Sequence, residues 1–266
     1  MPRPVPFLMY HELLAGGRSP ARPGDGYGRY VITDATFRDH LEIIRAADGV
    51  GVAVGMALAA RSTGLPVALT FDDGCASDLL VAAPVLIEFG FGATFFVTVA
   101  HLDSPGFLTR AQVRELADAG FEIGSHGMTH AYLSDLGADA LRFELAESRS
   151  VLEDLSARPV VHLSCPGGRW NRTVADTARD CGYLSVCDSR PVGNTAATDA
   201  FRLGRFAITK ATSAADVGCL ARDGTLGSMR WRSLALGAAR AVLGNRMYDR
   251  ARTALLERGN ASADSP

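Results

Sequence analysis

Short apolar runs that alternate with helix-like segments constrain this chain more than any other feature. Val5 to Tyr10, Val67 to Phe71, Ala93 to Val97, Phe121 to Gly124, Val161 to Cys165 and Phe206 to Thr209 read as buried strands. Between them, a helix is predicted to begin at Thr33-Asp34 and to run through Phe37, Leu41 and Ile44, apolar residues three to four apart. Asp78 to Phe89, Thr109 to Ala119 and Asp135 to Leu155 follow the same pattern, with Thr109 as a plausible N-cap and Gly120 as a stop. Strand and helix in alternation imply a parallel sheet, either open and doubly wound or closed into a barrel. No dinucleotide or phosphate glycine fingerprint follows the first strands, so the barrel is expected. Chemistry in such a barrel sits at the C-terminal ends of the strands, which directs attention to the residues just beyond each apolar run.

The remaining composition narrows the class. With 266 residues, 47% hydrophobic and 21% charged, the chain can bury a sizeable core in one large domain or two small ones. A net charge of -2 gives no electrostatic footprint for nucleic acid, and none is expected as a partner. Five cysteines without CxxC spacing argue against a disulfide framework or a cysteine zinc site. The proline-rich start does not read as a signal peptide, and no apolar stretch approaches the roughly 18 residues a membrane span needs, so a cytoplasmic location is expected. Gly16 to Tyr30 reads as a long loop, either over a site or mobile. The expected division is a main domain over 1–226, a helical extension over 227–258 carrying six arginines between Met229 and Glu257, and a disordered tail over 259–266.

Three constellations lie just past predicted strands. In Thr70-Phe71-Asp72-Asp73-Gly74, two adjacent carboxylates repel unless they share a cation or a proton. They also point to opposite sides of an extended backbone unless the turn that Gly74 permits redirects one. Taken alone, either could equally cap a following helix. In Ser125-His126-Gly127-Met128-Thr129-His130, two histidines stand four apart, a spacing that suits a divalent metal; Gly127, where a zincin has Glu, excludes that motif. Two histidines and one aspartate leave open positions for water and substrate, a ligand set also used by non-haem iron oxygenases. A spare carboxylate beside such a face favours hydrolysis, because it can take the proton of an attacking water. In Cys165-Pro166-Gly167-Gly168-Arg169-Trp170, the glycines offer backbone N–H groups to a developing oxyanion, and Trp170 is either a sugar platform or a packed aromatic.

At these residues the sequence resembles the polysaccharide deacetylase family, the NodB-homology carbohydrate esterases (carbohydrate esterase family 4). Thr70 to Gly74 and Ser125 to His130 resemble its first two motifs in the right order, and Leu8-Met9-Tyr10-His11 resembles the opening of many members. The resemblance spans about residues 5 to 210 and implies an α/β fold, a deformed (β/α)7 barrel, here with a C-terminal basic helix. It implies Asp72 as the catalytic base and Asp73, His126 and His130 as ligands of a divalent metal, zinc first, with cobalt, nickel or manganese as alternatives. It also implies hydrolytic removal of an N-acetyl group from an amino sugar, with Gly167 and Gly168 at the oxyanion and Arg169, Trp170 and Arg205 around base or substrate.

Two departures stand out. The arginine that the family often places two residues before the motif-three proline is Ser164 here, and Arg169 or Arg205 would have to substitute. The late Leu-x-His motif is absent, since no histidine follows His162, which leaves His11 as the candidate to protonate the departing amine. His40 and His101 are given no role. The expected substrates are a soluble glycoside, a nucleotide-linked sugar or a lipid-linked glycan, the last with peripheral membrane contact through residues 229–257. The rivals are another linear or cyclic amidase on the same fold and a non-catalytic glycan-binding module.

Overall fold

The computed structural model describes residues 3–17, 19–22, 27–59 and 64–226. The helical extension and tail expected beyond residue 226 lie outside the described residues, as do parts of the Gly16 to Tyr30 loop. The strands are β1 (Phe7–Tyr10), β2 (Leu13–Leu14), β3 (Ile32–Thr33), β4 (Gly49–Val52), β5 (Leu65–Asp73), β6 (Thr94–Val97), β7 (Glu122–Ser125), β8 (His162–Ser164), β9 (Ser185–Cys187) and β10 (Phe206–Ala207). The helices are α1 (Asp34–Ala46), α2 (Val54–Leu58), α3 (Ala83–Phe89), α4 (Arg110–Asp118), α5 (Ala138–Ser156), α6 (Arg172–Asp180) and α7 (Ala214–Asp223).

Eight strands form one parallel sheet in the order β10-β1-β5-β6-β7-β8-β9, with β4 also paired to β5. A parallel bridge from Cys187 to Leu203, just ahead of β10, curls the far edge back toward the first strand. The result is a curled, deformed barrel ringed by helices, the fold expected from the alternation of patterns. All six predicted strands are present: β5 is longer than predicted by two residues at each end, β7 is shifted by one, and the others are shorter by one or two residues.

The apolar face of each helix packs on the outside of this sheet. In α1, Phe37, Leu41 and Ile44 are fully buried, and Thr33 caps the helix by accepting from Thr36 N–H. In α4, Thr109 and Gln112 form a capping box, and Gly120 ends the segment at φ 92°. The core then runs continuously through Tyr10, Phe37, Phe71 and Phe95, whose rings stack or meet edge-on at 4.9 to 5.6 Å. Rigid strands packed in this way hold their C-terminal ends, and the residues beyond them, in fixed relative positions.

Candidate active site

Strand β5 carries two carboxylates out of the core on its final residues. Side chains alternate along it, so Phe71 faces the outer aromatic core while Asp72 faces the barrel interior. Asp73 would next face outward, but it and Gly74 adopt φ 83° and 78°. A left-handed backbone is costly for aspartate and unstrained for glycine. The turn swings the Asp73 carboxylate back over the strand end. The neighbours thereby part company: Asp72 goes to an arginine, and Asp73 to two histidines.

Asp73 Oδ1 lies 3.1 Å from His130 Nε2 and 3.5 Å from His126 Nε2. One ligand atom from each of Asp73, His126 and His130 lies within 4.8 Å of the others. His126 donates Nδ1–H to the Ser164 carbonyl at 2.9 Å, which fixes the tautomer and leaves the Nε2 lone pair facing the carboxylates. Burial holds the His126 imidazole down to about 4 against the pull of Asp72, so it is neutral at pH 7. Burial also pushes against the charge on Asp73, yet the three histidines His130, His11 and His126 outweigh it and hold the carboxyl well below the usual range.

His130 also has a left-handed backbone, φ 65°, and its loop is pinned from outside. Glu144, buried on α5, accepts from Met128 N–H at 2.7 Å, Thr129 N–H at 3.0 Å and the Thr129 hydroxyl. Val99 and Ala100 N–H donate to the Gly127 and Met128 carbonyls. Two residues of unfavourable backbone therefore sit at two of the three clustered donors, held by the surrounding bonds.

Asp72 is bound by Arg205, which donates Nη1 to Oδ1 at 2.7 Å and Nη2 to Oδ2 at 2.8 Å. The Ser164 hydroxyl donates to Oδ2 at 3.1 Å and accepts from Arg205 Nη2 at 2.7 Å. Burial would raise the Asp72 carboxyl, but the Arg205 guanidinium, with His126 beside it, holds it below the usual carboxylate range. Arg205 thus fills the place left by the serine at position 164, from the segment just ahead of β10. It is wholly buried, so it orients Asp72 and does not touch substrate.

Other expectations need revision. The Gly168 N–H donates to the Cys165 carbonyl at 2.8 Å and is committed to its own turn. Gly167, at φ 60°, donates its N–H to no protein acceptor among the described residues, so the oxyanion role narrows to it. Trp170 donates to the Phe201 carbonyl at 2.7 Å, lies under the Arg202 guanidinium and packs on the α5–α6 core, which makes it a packed aromatic. Arg169 is buried, with its guanidinium 4.9 Å from the Tyr132 ring centroid. His11 stacks on Tyr30 at 4.5 Å, and its buried Nδ1 has no hydrogen-bond partner among the described residues. Burial lowers its pKa, opposed by Asp73 and Asp72.

Three residues without an expected role also reach the site. His101 stands 5.6 Å from the His130 ring, with its pKa lowered to about 4 by burial and then by Arg22. Arg22 Nη1 lies 3.8 Å from Asp73 Oδ2. Glu144 had a readable signal, an acid on the apolar stripe of the predicted helix between Leu141, Leu145 and Ser148. His101 and Arg22 had none, since both lie on irregular segments.

Residues 60–186 match the family model for polysaccharide deacetylase. Over these residues the chain is similar to the polysaccharide deacetylases. It is 24% identical to the Bacillus subtilis polysaccharide deacetylase candidate YxkH over 82% of this chain and 76% of that protein. It is 35% identical to a chitooligosaccharide deacetylase of Sinorhizobium fredii over 47% of this chain, and spans 57% of that relative. Among solved structures, the Streptococcus pyogenes deacetylase PplD in complex with acetate superposes with a TM-score of 0.72 at 22% identity, covering 82% of this chain and 97% of that one. That likeness extends to the fold, the curled deformed barrel of the family.

Proposed function

We propose that this chain is a metal-dependent hydrolase that removes an N-acetyl group from an amino sugar. The division of labour between Asp72 and Asp73 carries the reading: one carboxylate is oriented by a buried arginine, and the other is grouped with two imidazoles at the strand-end face of the barrel.

The donor set fits a divalent cation. Two imidazole nitrogens and one ionised carboxylate converge, and the second nitrogen of His126 is already spent on a carbonyl, as metal-ligating histidines require. Asp73, His126 and His130 would hold the ion, with zinc as the first expectation. A bound ion there would polarise the acetyl carbonyl and make water more acidic. Asp72 takes the proton of the attacking water, and its ionised state is secured by Arg205 and Ser164. Gly167 N–H faces the developing oxyanion. The proton that Asp72 takes from the water is passed through His11 to the departing amine, and the lowered pKa of His11 lets its imidazolium release it readily. The amino sugar is proposed to be part of a soluble glycoside, a nucleotide-linked sugar or a lipid-linked glycan handled in the cytoplasm. The relatives' names for chitooligosaccharide and peptidoglycan N-acetylglucosamine deacetylation support an acetamido sugar over other amides.

Acetate release from a panel of N-acetylated sugars, with and without a chelator, tests the proposal. Release should be abolished by the chelator and restored by zinc. His126→Ala should retain substantially less metal by elemental analysis; equal metal in variant and wild type would overturn the ligand assignment. Binding without any acetate release would leave the glycan-binding module as the better reading.

A further inference from the structure

One aromatic ring on the catalytic face has no part in the chemistry above. Tyr132 is 41% exposed and lies two residues beyond His130 on the same loop. Leu133, fully buried, makes the packing contact, and the bond that Tyr132 provides to Asp135 N–H comes from its backbone carbonyl. An exposed ring fixed in place on the loop that carries His130 offers a face to a ligand in the site.

The ring is also held at a set angle. The Arg169 guanidinium, itself 4% exposed, covers one face at 4.9 Å from the centroid. One edge rests against Gly167, where an added Cβ would come within 2.8 Å of Tyr132 Cε1. Gly167 at φ 60° satisfies its own turn and leaves room for the ring. One face of the ring is thus covered by Arg169, while the residue as a whole stays 41% exposed. Trp170, the other aromatic at this rim, has its N–H and one face already occupied.

We propose that Tyr132 is the stacking platform for the sugar ring adjoining the one whose acetamide enters the site, with Arg169 and Gly167 as positioning residues. The inference rests on the deacetylase reading and names the residue that holds the neighbouring sugar. The apolar C–H face of a pyranose packs on an aromatic face, and a ring already fixed in its rotamer loses little entropy when it does so.

Kinetics of acetate release on N-acetylglucosamine and its β-1,4-linked oligomers, with wild type, Tyr132→Phe and Tyr132→Ala, provide the test. Wild type should show a higher kcat/KM on the dimer and longer oligomers than on the monomer. Tyr132→Ala should raise KM for the oligomers about three- to tenfold, the range for an aromatic contact, with kcat and monomer kinetics unchanged, and Tyr132→Phe should behave as wild type. An equal loss on monomer and oligomer, or no loss on either, overturns the platform while leaving the deacetylase reading intact. Calorimetric titration of the same oligomers into metal-stripped wild type and Tyr132→Ala decides the matter independently of turnover. Weaker binding in the alanine variant alone supports the platform, and equal or absent binding in wild type overturns it. If wild type binds but releases no acetate from any substrate, the activity assignment fails and the platform stands.

Discussion

Asp72 and Asp73 are identical in chemistry and adjacent in sequence, and one left-handed turn gives them different partners. The sequence order of carboxylates, glycine and paired histidines made these four residues legible, because each pair is local and its spacing carries the geometry. The partner of Asp72 was not legible in the same way. Arg205 and Arg169 were equal candidates for the missing arginine; Arg205 lies 133 residues away, just ahead of β10, so its burial against Asp72 in place of Arg169 is a property of the curled barrel. A consequence can be measured. Arg205 is what holds the Asp72 carboxyl below its usual range against burial, so weakening that contact should raise the pKa of the base. Arg205→Lys keeps a positive charge but cannot bind both carboxylate oxygens in a fork. Its kcat should fall on the order of ten- to a hundredfold, and the acid limb of the pH–rate profile should move to higher pH. A fall in kcat with the acid limb unmoved would show that Arg205 supports the fold alone.

At the level of elements, the long periodic helices and the six apolar strands were readable, and the shorter pieces were not. Helix α2 has five residues and α6 buries only Val174, Ala175 and Ala178, so neither offers a strong apolar stripe. Helix α7 did have a signal, the Ser213–Asp216 capping box, on a short segment with a weak core face. The predicted helix Asp78 to Phe89 is in fact two pieces, a π-helical turn over Asp78–Ala82 and then α3. Pro84 has no N–H to give to the carbonyl four residues back, which favours the wider turn ahead of it. The turn buries Asp78 completely, with both oxygens lacking a partner among the described residues, and burial, reinforced by Asp73 and Glu12, raises its carboxyl well above the usual range. The folded protein therefore keeps this proton above pH ~3.9, where the unfolded chain releases it. Stability must then fall as pH rises through that window, by up to about 1.4 kcal/mol per pH unit from this group. Asp78→Asn does not titrate, so it should match wild type near pH 4 and become progressively more stable than wild type toward pH 7. Denaturant melts at the two pH values measure the difference; a constant gap would mean that Asp78 is ionised in the folded state.

At the scale of the molecule, the packing of the described chain closes on itself before residue 227. Strand β10 pairs with β1, α7 lies against α1, and Leu226 is buried in the main core. Arg3 ties the first strand to the end of α7 by donating to the carbonyls of Leu220, Ala221 and Arg222. Those carbonyls form the negative end of the helix dipole, where a guanidinium is favoured. The arginine-rich segment that follows, with Arg230, Arg232, Arg240, Arg246, Arg250 and Arg252 interleaved with Trp231, Leu234, Leu236, Val242, Leu243, Met247 and Leu255, is therefore not needed to complete the core. Its sequence suits an anionic lipid surface, where each basic residue contributes about 1 kcal/mol and apolar residues add burial in the headgroup region. Such contact would bring the barrel mouth to a lipid-linked glycan. The chain truncated after Leu226 should melt cooperatively and release acetate from soluble substrates at the full-length rate. Full-length protein should co-sediment with anionic vesicles at low salt, and should be released when salt shortens the screening length to a few ångström; the truncated form should stay in the supernatant throughout. Full-length protein that remains soluble at low salt would rule out a lipid role for the arginines and turn the substrate search to soluble glycosides.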